Sequence, residues 1–199
     1  RSSDLVIRER DNVCNYLDIA LQHVSDPVLQ RMRRNVSSKE TIELIRRIRD
    51  EVPGIHLRTT LLTGFPGESE ADFEALMNFV KTMRFERMGA FPYSEEEGTY
   101  SALHYDDDIP FEVKQARVDQ LMEIQQQISE ELNRAKIGSV LRVIIDGEEG
   151  DCYVGRTEFD SPEVDPEVLI SKNKILNIGE FYEVKIVDAE AFELMGEVL

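Results

Sequence analysis

The chain is poor in metal-binding residues and in positive charge. Among its 199 residues are two cysteines, Cys14 and Cys152, and three histidines, His23, His56 and His104, all scattered. A structural zinc site needs about four such ligands at short spacings, and an iron–sulfur cluster needs closely spaced thiolates. Neither is expected from these residues, so no metal ligands are assigned. A disulfide is disfavoured because nothing indicates secretion, and each cysteine reads as a small apolar residue. No apolar run approaches the roughly 20 residues a membrane helix requires. The N-terminus, Arg1-Ser2-Ser3-Asp4-Leu5, has no initiator Met and no signal-peptide core. It therefore reads as an internal start of a cytoplasmic protein.

Positive charge is the other shortage. Lys and Arg number 23 against 40 Asp and Glu, a formal net charge of −17. Phosphates must be met by clustered Lys and Arg. Direct nucleic-acid binding and an anionic membrane surface are therefore not expected, and a basic protein is the better partner. What the chain does have is 41% hydrophobic and 32% charged residues, the balance of a folded globular protein. The length suits one ordinary domain plus a small one.

The pattern changes along the chain. Residues 16–22 alternate, with Leu17, Ile19 and Leu21 on one face and Asp18, Ala20 and Gln22 on the other, as in a half-buried strand. Asp26-Pro27 opens a short helix that buries Val28, Leu29 and Met32 and ends in Arg31, Arg33 and Arg34. Ser37 and Glu40 make a capping box for a helix whose stripe is Ile42, Ile45 and Ile48, stopped by Pro53-Gly54. A strand at 56–63 leads into the turn Gly64-Phe65-Pro66-Gly67-Glu68. Ser69 and Asp72 then open a helix with Phe73, Leu76, Met77 and Val80 at helical spacing. A third strand covers about 87–93. This alternation predicts parallel strands joined by helices. Asp18, Gln22, Arg58 and Thr60 should lie on the concave face, and Leu17, Ile19, Leu21 and Leu61 toward the helices.

Residues 94–109 read as an acidic, solvated loop. A long helix runs from Pro110 to about Ile137, with Val118, Leu121, Ile128, Leu132 and Ala135 as its apolar stripe. After Gly138 come five short β-rich runs, which suggest a small antiparallel barrel of OB type. The fold class is thus α/β, a partial parallel barrel, followed by a small all-β barrel. The expected segments are 1–109, a connecting helix 110–137, and 138–199.

Ligands of parallel sheets gather at the C-terminal ends of the strands. Those ends hold Gln22-His23-Val24-Ser25, the Gly64–Glu68 turn, and Phe91-Pro92-Tyr93. The turn lacks the Gly-Lys-Ser/Thr end of a triphosphate-binding loop. It is either a tight strand-to-helix turn or a place where backbone approaches a ligand. Arg58 either pairs with Asp18 or receives a carboxylate of cofactor or substrate. His23 is either a general base or a hydrogen-bonding core residue.

These residues resemble a family. Tyr16-Leu17-Asp18-Ile19-Ala20-Leu21-Gln22-His23 with Met32-Arg33-Arg34, then Arg58-Thr59-Thr60 with Thr63-Gly64-Phe65-Pro66-Gly67-Glu68-Ser69, are similar to the fourth and fifth barrel strands of the radical S-adenosylmethionine methylthiotransferases. Tyr93-Ser94 with Glu96-Glu97-Gly98-Thr99 is similar to the segment after their sixth strand. Gly155-Arg156 and Ser161-Pro162-Glu163-Val164-Asp165 resemble their TRAM domain. The Leu-Gln-His and Pro-Glu-Val-Asp versions point to the branch that modifies a ribosomal protein rather than the branch that modifies tRNA. Ala20 stands where the family commonly has Pro, and Pro166 where it has Gly.

The resemblance implies a C-terminal part of a longer enzyme, the second half of its barrel plus TRAM. That enzyme methylthiolates the β-carbon of an aspartate in a basic small-subunit ribosomal protein. It uses S-adenosylmethionine and two [4Fe-4S] clusters whose ligands lie upstream, so no catalytic residue and no bound cofactor are expected in this chain alone. By the same resemblance, Gln22, Arg58, Thr60, Gly64, Pro66, Gly67 and Phe91 are cofactor contacts, and His23, Arg156, Glu163 and Asp165 are substrate contacts. Charge agrees with the branch: residues 138–199 hold 5 basic and 15 acidic groups, a net of −10. The alternatives are a tRNA methylthiotransferase and a non-catalytic protein-binding module.

Overall fold

The computed structural model describes residues 2–162 and 164–199. Glu163, one of the expected substrate contacts, lies outside the described residues. The elements run α1 (Ser2–Glu9), β1 (Tyr16–Gln22), α2 (Asp26–Arg31), α3 (Ser38–Glu51), β2 (His56–Thr63), α4 (Glu70–Met83), β3 (Arg87–Pro92), α5 (Tyr100–His104), α6 (Phe111–Arg134), β4 (Val140–Glu149), β5 (Cys152–Thr157), β6 (Glu167–Ser171), β7 (Phe181–Ala189) and β8 (Glu193–Val198). They form two compact units, Leu17–Gln125 and the residues up to Tyr16 with Gln126–Leu199. The division falls inside α6.

In the first unit β1, β2 and β3 lie side by side in that order, and β2 pairs with β3 in parallel. The period-2 pattern of β2 sets its faces. Leu57, Thr59, Leu61 and Thr63 are buried, while Arg58, Thr60 and Leu62 are half-buried on the opposite, open face. Thr59 joins β1 to β2, donating from Oγ1 to the Ile19 carbonyl at 2.8 Å. Both capping boxes form. Ser37 Oγ accepts from the Glu40 amide, Ser69 Oγ from the Asp72 amide, and each acidic side chain reaches back to the cap.

The second unit closes β4-β5-β6-β8-β7 into a barrel. Alternation sends Val143, Ile145, Tyr153, Val168, Ile170, Val184, Ile186 and Leu194 into one apolar core. Glycine is required where strands crowd: a Cβ on Gly155 would sit 2.4 Å from the Ile144 carbonyl oxygen.

Several expectations need correction. The barrel is mixed, because β6 and β8 pair in parallel from Glu167 opposite Glu193 to Ile170 opposite Gly196. A closed ring of five strands cannot alternate direction all the way round, so at least one pair must be parallel. The 94–109 segment is not all loop, since Thr99 caps the short helix α5. Met32 is half-buried rather than buried, and Ala135 is exposed just beyond the end of α6. The buried side of α6 is also far more polar than its apolar stripe implied. Lys114, Arg117, Gln125, Ser129 and Asn133 are all buried. Each of Lys114, Arg117, Gln125 and Asn133 finds charged or carbonyl partners that only tertiary packing supplies.

Candidate functional site

The C-terminal ends of β1, β2 and β3 converge on one buried polar network within the first unit. Its centre is Glu68, the last residue of the glycine turn. The Glu68 carboxylate accepts from the Gly64 amide at 2.7 Å and from Arg117 Nη1 at 2.8 Å, and it has essentially no exposed surface. Burial pushes the Glu68 carboxyl upward from its ordinary range, opposed by the Arg117 guanidinium and the Gly64 and Phe65 amides. Arg117 also reaches Glu70 at 3.1 Å and lies over the Phe73 ring. A carboxylate held by two backbone amides sets the shape of the turn it terminates.

His23 sits behind this carboxylate. Its Nδ1 accepts from the Ser25 amide at 3.0 Å, which leaves the proton on Nε2, 3.6 Å from Glu68 Oε2. Desolvation lowers the His23 pKa to about 4 against the pull of Asp72, so the ring is neutral at pH 7. The side chain is fully buried. His23 is therefore a core residue behind the turn. The expectation that it meets substrate directly is corrected, because no solvent-side surface of it exists.

Lys114 of α6 closes the other side of the turn. Its ammonium is 2.6 Å from Asp107, 3.3 Å from the Tyr93 carbonyl and 5.0 Å from the centre of the Tyr93 ring. Its stem explains Gly64: φ is +72°, and a Cβ there would lie 2.2 Å from Lys114 Cγ. The Gly67 amide donates to Asp108 at 3.1 Å, and Arg31 donates to the Pro66 carbonyl. The amides of Gly64 and Gly67 are thus engaged by the protein itself, so these glycines shape a wall and do not offer free donors.

On the solvent side of the turn lies a cavity of about 310 Å³, lined among others by Gln22, Leu62, Phe65, Tyr93 and Tyr100. Of the expected cofactor contacts only Gln22 lines it. Thr60 and Arg58 lie on the open sheet face, and Arg58 pairs with Asp18 at 3.1 Å, the plainer of its two sequence readings. Phe91 is 56% exposed. Arg156 is ion-paired with Asp146 across β4 and β5. Asp165 accepts from the Ser161 amide at 2.8 Å and from Tyr16 of the same unit at 2.9 Å. Asp160 accepts from the Thr157 hydroxyl. These two carboxylates close turns. Sequence reasoning passed over Lys114 and Arg117, whose only signal is a cation at helical spacing from apolar neighbours.

Among the described residues no group of three or more His, Cys, Asp or Glu side chains could hold a metal ion, and no helix is long and apolar enough to cross a membrane. The sequence model of the radical SAM superfamily matches residues 4–80, and that of the TRAM domain matches residues 137–199. Proteins named ribosomal protein uS12 methylthiotransferase RimO are similar throughout. Those of Parabacteroides distasonis and Bacteroides thetaiotaomicron are each 64% identical over 98% of this chain and 45% of their own length. That of Flavobacterium johnsoniae is 50% identical over 96% of this chain and 44% of its own. The chain spans less than half the length of these relatives. Among solved structures, coproporphyrinogen III oxidase (HemN) from Escherichia coli, a radical SAM enzyme, aligns with a TM-score of 0.50 at 13% identity. That alignment covers 72% of this chain and 41% of the oxidase, and it bears on the fold alone. With both sequence models matched in this order, and with such identity to these relatives, the chain belongs to the radical SAM superfamily, in its RimO-type branch, and carries a TRAM domain.

Proposed function

We propose that this chain supplies part of the barrel and the TRAM domain of an enzyme that methylthiolates the β-carbon of an aspartate in ribosomal protein uS12. The observation that carries this reading is 64% identity, across both compact units, to proteins named for that activity. An unactivated C–H bond is beyond acid–base chemistry, and S-adenosylmethionine with a reduced iron–sulfur cluster is the cofactor system that supplies radical chemistry. The open sheet face fits the organic cofactor: Gln22 and Thr60 offer polar groups beside Leu62 and Phe91. The described residues offer no ligand set for a cluster. Two clusters, as the family resemblance implies, would take their ligands from elsewhere in the enzyme.

In this reading Gln22, Arg58, Thr60 and Phe91 meet the cofactor on the open sheet face, and Gly64, Pro66 and Gly67 form the wall beside it. Glu68, His23, Lys114 and Arg117 hold that wall in place. In the TRAM unit, Arg156, Glu163 and Asp165 are the residues this reading assigns to contact with the ribosomal protein. The net charge of −10 over residues 138–199 repels RNA phosphate and attracts a basic protein. The setting is cytoplasmic, where ribosomes are assembled.

The test is expression of the whole natural enzyme with uS12 in a host that lacks its own activity. Mass spectrometry should show one added methylthio group on the uS12 aspartate. Unmodified uS12 together with methylthiolated tRNA would overturn the reading in favour of the tRNA branch.

A further inference from the structure

The two segments assigned to S-adenosylmethionine both leave their strands through left-handed backbone. Gln22 ends β1 at φ +68°, a region that residues other than glycine seldom occupy. It is held there in a three-residue turn closed by the His23 amide on the Leu21 carbonyl at 2.9 Å. The turn after β2 uses the same region, at φ +72° for Gly64 and +77° for Gly67. Left-handed backbone cannot continue a strand, so the sheet ladder does not place the groups that follow. Side chains must do so.

His23 meets both segments. It follows Gln22 in the chain, and its ring is fully buried. Nδ1 accepts from the Ser25 amide at 3.0 Å, and Nε2 lies 3.6 Å from Glu68 Oε2. That same oxygen accepts from the Gly64 amide at 2.7 Å and from the Phe65 amide at 3.4 Å. One carboxylate oxygen therefore sits between the imidazole behind Gln22 and the amides that shape the glycine turn. The neighbouring groups are committed elsewhere. The Ser25 hydroxyl donates to Asp72, and Arg117 holds the other Glu68 oxygen at 2.8 Å. Nε2 makes no shorter hydrogen bond among the described residues, so its proton is available to Glu68.

We propose that His23 is a positioning residue for the cofactor: through Glu68 it ties the end of β1 to the glycine turn, and so holds the Gln22 carboxamide where S-adenosylmethionine meets it. Having no exposed surface, His23 acts through Gln22 and touches no ligand itself. This assignment rests on the functional reading above and adds to it a residue behind the pocket. The ring geometry makes the requirement specific. A donor is needed at the Nε2 position, whereas the acceptor at Nδ1 serves the local turn at Ser25. Glutamine brings an amide nitrogen to the first position, and asparagine reaches only the second. Both are neutral and polar, so they separate the link to Glu68 from the mere presence of a hydrogen-bonding side chain.

The experiment measures S-adenosylmethionine affinity by anaerobic calorimetric titration of the whole natural enzyme with its clusters assembled. His23→Asn should weaken binding about tenfold, the loss expected when one hydrogen bond to a charged group goes. His23→Gln should restore most of that affinity. Gln22→Gly removes the carboxamide and relieves the left-handed backbone. If His23 works through Gln22, the losses do not add, and His23→Asn should cost less than about twofold further in the Gln22→Gly background. Where His23→Asn does not fold, His23→Phe takes its place in the cycle, since it keeps a buried ring and loses both contacts. Equal losses in the Asn and Gln variants overturn the proposal. So do losses that add in full across the cycle, and so does a His23→Asn enzyme that binds like the parent. A parent that binds S-adenosylmethionine but leaves uS12 unmodified fails the broader reading alone, because the affinities still decide the role of His23. A parent that does not bind S-adenosylmethionine overturns both.

Discussion

Both units of this chain bury apolar cores, but they differ in the charge they bury beside them. The barrel of β4 to β8 is held by an apolar core in which every strand contributes alternate residues, from Val143 to Leu194. The open-sheet unit buries His23, Glu68, Lys114 and Arg117 at its strand ends. Burial of apolar surface is non-directional and insensitive to pH. Buried charges are directional, depend on partners from distant segments, and respond to protonation. The difference leaves the barrel with an apolar centre and gives the open-sheet unit an electrostatically set turn beside a cavity.

The sharpest way to break this comparison is to remove one half of the Glu68–Arg117 pair. Arg117→Ala leaves a buried carboxylate without its cation and should destabilise the open-sheet unit by about 3–5 kcal/mol. Hydrogen exchange resolved by segment reads the effect, with amides of 17–125 losing protection while the barrel keeps its own. Equal loss in both units would show that they unfold together.

The matching cut in the barrel is Ile186→Ala. It removes a fully buried side chain and should cost about 2–5 kcal/mol. The loss should not vary between pH 7 and pH 4, which a denaturant titration at each pH would establish.

Acid separates the units without mutation. The folded-state pKa of His23, about 4, lies below its ordinary 6.5. The unfolded chain therefore takes up this proton first as pH falls. The contribution of neutral His23 is complete above pH 6.5 and is lost progressively down to about pH 4, by at most about 3 kcal/mol. Glu68 acts in the opposite sense: its raised folded pKa means that protonation there favours the folded state as pH falls. The parent open-sheet unit should lose stability from pH 6.5 to 4 more steeply than His23→Gln. Parallel curves for parent and variant would remove His23 as the cause.

The smallest effect belongs to the pair on the open face. Asp18 is 44% exposed, so Asp18→Asn should cost less than about 1 kcal/mol, and still less in high salt. A larger loss in denaturant unfolding would mean that Arg58 needs Asp18 to occupy the sheet face at all.

By itself the sequence determined what depends on neighbours along the chain. Period-2 alternation in residues 16–22 and 56–63, the capping residues Ser37 and Ser69, and the five β-rich runs after Gly138 all specify local geometry through side-chain periodicity and backbone hydrogen bonding. The structure has them at those positions. The glycine turn at the end of β2 was also legible as the place to look. Tertiary structure alone decided what depends on distant partners. Arg117 reads as a surface cation until Glu68, 49 residues away in sequence, meets it at 2.8 Å. His23 and Asp165 read as available polar groups until burial and amide donors occupy them. Arg31, Arg33 and Arg34 read as the end of a helix until the fold sets Tyr100 beside Arg33. Periodicity reports which face a residue occupies, whereas the free energy of a buried charge depends on which groups the chain brings within a few ångströms of it, and no pattern along the sequence encodes that.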